Sequence, residues 1–532
     1  MPAITHRAGF FAALRMTASG SCIFCALLFA FLPACSRREP ATPPASQVLR
    51  IAQRNEPATL DPQLATLPDE FFIIRALSEG LVTPSPVGGT PIPAVASHWE
   101  AANNWQQWTF HLPGSAFWSN GAAVTAQDFV YSIRRALTAS LAAPKAPLFF
   151  PIKNAGAFYH GRLTDFAQVG VAAPDDRTLV ITLDHPMPDF LALAASGPWI
   201  PVHPATVEKF GINWLRPEHF VGNGRFVLVN WLPNQRIVVR KNLLHRNSST
   251  TLLAEVQFVA FDNGDTEERA FRAGQLDITM AVPTARLDTY RNTAPSMLHA
   301  VPLHETRYLA LNTTRAPLND VRVRRALSLA LDRKVLAGKV LKGGQQPAFT
   351  FVPPGLGGYA PAVSLTEDAS RARQLLAEAG FPGGRGFPRL ELSTWPVSTP
   401  QLEAIQEQWR KELGIEVALV QREARTHLAA LAAGDYDIGF ATAIPDYDSA
   451  VDLLNRLGSG DSGNYPRWSD AEYDRLVAIG GPNLTEAEIR LLAAMPLIPL
   501  YFNAQNFLVS PRVKGWQSDR LWTRFYQAVS LE

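Results

Sequence analysis

The sequence predicts an α/β protein of several domains. Short runs rich in Val, Ile and Thr alternate with amphipathic helical stretches, which is the pattern of layered sheets and helices. The chain has 532 residues, too many for one core when a domain holds about 100–150. Its residues are 47% hydrophobic and 18% charged, the balance of a chain that folds.

The strands come first. Arg177 to Leu183 (RTLVITL), Gln235 to Lys241 (QRIVVRK) and Gly414 to Gln421 (GIEVALVQ) are β-branched and bounded by turn residues. Three helices follow from spacing. In VTAQDFVYSIRRAL, Thr125 and Asp128 stand as a capping box, and Phe129, Ile133 and Leu137 share one face. In NDVRVRRALSLALDRKVL, Val323, Leu327 and Leu331 point inward while Arg322, Arg325 and Arg333 form a solvated face. SRARQLLAEAGF is a third helix, stopped by Gly380.

The beginning of the chain differs in kind. His6, Arg7 and Arg15 precede the apolar block CIFCALLFAFLPAC, and no acidic residue occurs before Glu39. That is the form of a secretory signal peptide over residues 1–34, too short to span a bilayer. Leu32, Pro33, Ala34 and Cys35 resemble a lipidation signal, with plain cleavage near Ala34 as the alternative. All three cysteines lie in this block, so the exported chain keeps Cys35 alone and forms no internal disulfide. Acylated Cys35 would anchor the protein to a membrane, followed by a proline-rich tether over residues 35–47. Without Arg7 and Arg15, 47 basic residues face 47 acidic ones. That balance argues against a nucleic-acid partner.

Enzyme signatures are sparse. The chain has no GxxxxGK[ST] loop, no HExxH and no CxxC pair beyond the signal segment. GDSG at Gly460 to Gly463 matches part of a serine-peptidase loop but lacks the following Gly-Pro, and reads as a glycine-rich surface turn. A hydrolase using Ser462 is the remote alternative. The 11 histidines are scattered singly, and neither a metal nor a cofactor is expected.

From Glu56 onward the motifs follow a family's order. EPATLDPQ, RALSEGLVTPSP and PAVASHWEAANNWQQWTFHLPGSAFWSNGAAVTAQDFVYSIRRAL come first. FVGNGRFVLVNW, AFRAGQLDIT, LNTTRAPLNDVRVRRALSLALDR, YDIGFATAIPDYDSAVDLL and MPLIPLYFN follow. This succession resembles the oligopeptide-binding proteins of bacterial ABC importers, the family 5 extracellular solute-binding proteins. The resemblance implies a two-lobed periplasmic-binding-protein-like fold of the large cluster C type, with three domains, mixed sheets and a hinge. By motif position, lobe I comprises residues 36–80, 203–304 and 503–532, an inserted domain covers 81–202, and lobe II runs over 305–502, with crossings near His304 and Asn503. It implies a monomer that performs no chemistry, binds an extended oligopeptide between its lobes and delivers it to a permease in the inner membrane. A peptide sensor, or a carrier of a nickel complex, haem or sugar, is the alternative on the same fold.

The resemblance also implies site residues. In GFATAIPDYDSAVDLL, Asp446 stands where the family's acid holds the peptide's amino group, with Thr442, Ala443 and Ile444 as backbone-pairing residues. Residue by residue, Pro445 and Asp448 leave open that Asp446 is a turn residue. Thr66 and Leu67 match the contact segment of the other lobe, and Tyr308 and Trp395 fall near ligand-facing segments. Phe440 stands where relatives often carry a carboxylate-binding arginine, and Lys342 is the nearby candidate cation. The helix before PLIPLYF is shorter than the family's, which marks it as a possible weak point in lobe II packing.

Overall fold

The structure is a computed structural model that describes residues 47–54, 56–396 and 399–532. The expected signal segment, Cys35 and nearly all of the tether lie outside the described residues. Three main sheets organise the chain. The first sets Val48–Gln53 parallel to Glu255–Ala260, followed antiparallel by Arg236–Lys241 and Phe226–Leu232. The second is antiparallel, in the order His98–Ala102, Gln107–His111, Thr178–Thr182, Val171–Asp175. The third is mixed and six-stranded: Gln346–Pro347, Leu497–Leu508, Leu298–Leu311, Ile438–Ala443, Leu390–Thr394 and Val417–Gln421.

Apolar residues of these sheets sort into separate cores. One is built from residues between Leu81 and Trp199, joined by Tyr447 alone from the far end of the chain. Others gather Leu49, Ile237 and Phe258 with Val529, and Leu309, Trp409 and Ile438 with Leu500. The first two sheets are tied through the LDPQ motif. Asp61 pairs with Arg135 at 2.6 Å, and Gln63 Nε2 donates to the Ser132 carbonyl at 2.6 Å. Two long strands, Leu298–Leu311 and Leu497–Leu508, run antiparallel beside one another for most of their length. Their register breaks between Pro302 and Thr306, opposite Asn503.

The expected strands and helices form, with one exception. Helix Ala126–Ala136 starts at Thr125, whose N–H donates to the Asp128 carboxylate at 2.9 Å, and Phe129, Ile133 and Leu137 are buried. Helix Ala369–Glu378 ends before Gly380, which takes φ +100°, a left-handed value that suits glycine. The exception is the helix expected over 319–336. It runs only Val321–Leu329, and Asp332 then caps a new short turn by accepting from the Val335 N–H at 2.8 Å. The break turns Arg333 inward, against its expected solvated position. Its guanidinium is fully buried, donating to the Pro499 carbonyl at 2.8 Å and to Ser328 Oγ at 2.9 Å. Arg322 and Arg325 stay exposed.

The short helix before PLIPLYF is no weak point. Asn483–Ala494 buries Leu484, Leu491 and Leu492, and Glu488 accepts from the N–H groups of Phe351 and Val352 at 2.9 and 2.8 Å. Among the described residues no helix is long and apolar enough to cross a membrane.

Candidate functional site

A cavity of about 1070 Å³ is lined by segments drawn from across the described chain. Its wall includes Thr66 and Leu67, Lys145, His304, and Thr442 with Ile444 to Asp448. Strand Ile438–Ala443 forms one side. It pairs along its whole length with Leu298–Leu311, but on the other flank with Leu390–Thr394 only at Ile438 and Gly439. Among the described residues, 440–443 therefore carry a partner strand on one flank only.

Past the strand, Pro445 ends the ladder and Asp446 turns its carboxylate into a charged cluster. One oxygen pairs with the Lys145 ammonium, and the other accepts from Arg456 at 2.9 Å. Arg456 also reaches Asp452 at 3.2 Å, and the Asp446 N–H donates to that carboxylate at 2.7 Å. Burial alone would raise the Asp446 carboxyl, but Lys145 and Arg456 outweigh it and hold it below the usual carboxylate range. Asp452 is pushed up to about 6 by burial, with Arg456 opposing and Asp446 adding to the rise. In this conformation the cation for Asp446 is supplied by the chain itself.

Local sequence explains the cluster. Lys145 lies between Pro144 and Pro147 in an apolar stretch, immediately before the short helix Ala146–Phe149, and its ammonium sits 5.5 Å from the Phe71 ring centroid. Asp452 and Arg456 are one helical turn apart on and just beyond helix Ala450–Asn455. Ser449 caps that helix through the Val451 N–H, and its hydroxyl donates to Asp189 at 2.7 Å. The loop 445–449 thus docks on the 81–202 segment at three places: Lys145, Asp189 and the pocket that takes Tyr447.

The crossing strand Leu298–Leu311 reaches the cavity wall at Val301, Pro302 and His304. Glu305 is fully buried, accepts from Thr442 Oγ1 and Trp522 Nε1 at 3.0 Å each, and pairs with Arg307 at 2.5 Å. His304 donates its N–H to the Arg520 carbonyl at 2.8 Å. Burial, aided by Arg520, pushes its imidazole down to about 4, so it is neutral at pH 7.

The structure brings together some of the expected residues and not others. Thr442, Ile444, Asp446, Thr66 and Leu67 line the cavity. The N–H groups of Thr66 and Leu67 are already taken by Glu70, at 2.8 and 3.0 Å. Ala443 is buried in the strand opposite Thr306. Tyr308 is buried edge-on against Phe351, off the cavity wall. Trp395 packs on Phe440 at 5.2 Å, and Phe440 itself is core. Lys342 is exposed in a left-handed turn, and its carbonyl accepts from Arg291 at 2.5 Å. Ser462 lies in a turn on the rim, where Asp461 accepts from the Gly463 N–H at 2.7 Å. Lys145, Arg456, Asp452 and Glu305 were not expected.

Comparison with known proteins places these features. The profile of the bacterial extracellular solute-binding proteins, family 5 (middle), matches residues 90–465. The chain is 34% identical over 489 residues to the probable deoxycholate-binding periplasmic protein YgiS of Escherichia coli (strain K12), covering 88% of this chain and 90% of that one. The solved murein tripeptide-binding protein MppA of Escherichia coli superposes with a TM-score of 0.83 at 32% identity, over 92% of this chain and 99% of that one. Haemophilus influenzae OppA in complex with the peptide RPPGFSPFR gives 0.81 at 30%, over 92% and 99%. The unliganded open form of MppA fits less closely, at 0.74 over 92% and 98% and the same 32% identity. The fold is thus the two-lobed one of periplasmic peptide-binding proteins, and the chain belongs to the bacterial extracellular solute-binding proteins of family 5, the family of the oligopeptide-binding proteins of ABC importers.

Proposed function

We propose that this protein captures extended oligopeptides between its lobes and hands them to an ABC permease, held at the membrane by lipid on Cys35. The supporting observation is the strand flank over residues 441–443, which has no strand partner among the described residues, reaches the cavity wall at Thr442 and leads into Asp446. An extended peptide adds to such a flank through main-chain hydrogen bonds that ignore side chains, and a carboxylate at the end sets its register. Lobe I comprises residues 36–80, 203–304 and 503–532, the insert 81–202, and lobe II 305–502, with the hinge at the register break beside Asn503. Ligand contacts to both lobes stabilise the closed state.

Calorimetry with a defined peptide, as free acid and as C-terminal amide, tests the reading. Binding is expected, and the amide should bind about as well, because Phe440 fills the place of a carboxylate-binding cation. Losing a desolvated partner would cost roughly 2–5 kcal/mol. A loss of that size on amidation assigns the carboxylate to a cation in the cavity, and no binding of either form sinks the peptide reading. The anchor is tested separately: Cys35→Ser should abolish palmitate labelling and membrane retention.

The pairing of Asp446 favours a second reading, an amphipathic solute with no ammonium group, which would leave the Lys145 and Arg456 contacts intact. YgiS is named for such a solute. Deoxycholate binding with no peptide binding would select it.

A further inference from the structure

The outermost strand of the inserted sheet, His98–Ala102, carries a second group of side chains with its own chemistry. His98 stands directly across from His111 on the neighbouring strand, and Glu100 follows on the same face as His98. The two imidazole rings lie stacked, with centroids 4.4 Å apart and planes 11° from parallel. Glu100 Oε1 is 3.8 Å from His111 Nε2. One donor atom from each of the three side chains falls within 4.8 Å of the others.

Two details prepare the nitrogens as ligands. The Ser97 oxygen lies 3.1 Å from the His111 carbonyl and 3.0 Å from His98 Nδ1; with its proton on the carbonyl, it accepts from an Nδ1–H. That tautomer leaves the lone pair of His98 on Nε2. His111 Nε2 is shielded from solvent and has no hydrogen-bond partner among the described residues, though it faces the Glu100 carboxylate. A buried ring nitrogen without a partner requires an explanation, and a cation between it and the carboxylate supplies one.

We propose that His98, Glu100 and His111 bind a divalent transition-metal ion of the zinc or copper class. Two neutral imidazoles and one carboxylate match the donor preference of these ions. A tetrahedral zinc with bonds of about 2.1 Å holds its ligand atoms about 3.4 Å apart. The two rings are stacked, so their in-plane lone pairs do not converge as they stand, and the group reaches that spacing by turning of an imidazole ring together with the Glu100 side chain, which is 72% exposed. The hydroxyl of Ser97 orients one histidine from outside the ligand shell, as such partners do in metal sites. The bound ion clamps the edge strand to its neighbour and keeps an open position toward solvent. This site is separate from the solute cavity, whose wall includes none of the three residues.

The test uses the full metal-stripped chain carrying Cys22→Ser, Cys25→Ser and Cys35→Ser, so that thiols supply no ligand. Calorimetric titration with ZnCl2 should show one equivalent bound, and the Cu2+ form should give an electron paramagnetic resonance spectrum with coupling to two nitrogens. His98→Ala and His111→Ala should each weaken zinc binding at least tenfold, since loss of an outer-shell partner alone typically costs about 10–100-fold. The exposed, isolated His185→Ala should leave it unchanged. Circular dichroism of each variant confirms folding, and since His98 is on an exposed edge strand its variant tests the site even if His111→Ala misfolds. Absence of stoichiometric binding, or wild-type zinc affinity in a folded His98→Ala variant, overturns the proposal.

Discussion

Asp446→Ala is expected to weaken binding of a peptide with a free amino group by roughly 30-fold to a few thousand-fold. The estimate is the cost of about 2–5 kcal/mol for truncating one side of a desolvated charge pair, because the other charge stays buried. N-acetylation of the peptide should cost the native protein about as much and the variant little more. Such non-additivity identifies two partners of one interaction, and simple addition of the losses would make Asp446 a structural residue of its turn. The structure adds a third arm. Lys145 already holds one oxygen of this carboxylate, in a pair whose side chains are 18% and 19% exposed. Freeing that oxygen by Lys145→Ala should strengthen binding of the same peptide about fivefold, the equivalent of about 1 kcal/mol for a partly solvated pair. Weaker binding in Lys145→Ala would instead show that the ammonium touches the ligand.

Glu305→Ala is expected to lower the stability of the protein by about 3–5 kcal/mol, the cost of breaking a buried pair and leaving its donors without an acceptor. The carboxylate is inaccessible to solvent and serves Arg307, Thr442 Oγ1 and Trp522 Nε1 at once. Glu305→Gln keeps an acceptor for one of the neutral donors and should lose less. Urea denaturation followed by tryptophan fluorescence reads both, and a shift in Glu305→Ala below about 1 kcal/mol would show that water replaces the carboxylate.

Local signals in the sequence carried much of the fold. The Thr125 and Asp128 capping box, Gly380 at a helix end and the β-branched runs each act within a few residues, and each formed as expected. The helix through residue 333 did not, because Asp332 is compatible with both a helix surface and a new cap, and only the surrounding packing chooses between them. The cavity was legible along one segment. Thr442, Ile444 and Asp446 are alternate residues of one short segment, and all three line the cavity. Lys145 is 301 residues from Asp446, and no spacing rule links such a pair. Its one signal was a lone cation between Pro144 and Pro147 in an apolar stretch. Tyr308 and Trp395 were placed by neighbourhood, and strand alternation and core packing send them elsewhere.

The register break between Pro302 and Thr306 lies one ladder rung from the cavity strand, since Ala443 pairs with Thr306. On the proposed hinge and site, the fulcrum and the grip therefore share a beam. Hydrogen bonds couple the cavity strand to the crossing strand along its full length, so on the hinge proposed above a change of tilt there would turn the part of the sheet beyond Thr306 as a plank. A small angle at residues 303–305 is magnified toward the rim in proportion to distance. On that proposal no relay of side chains is needed to carry news of a bound ligand to the pivot.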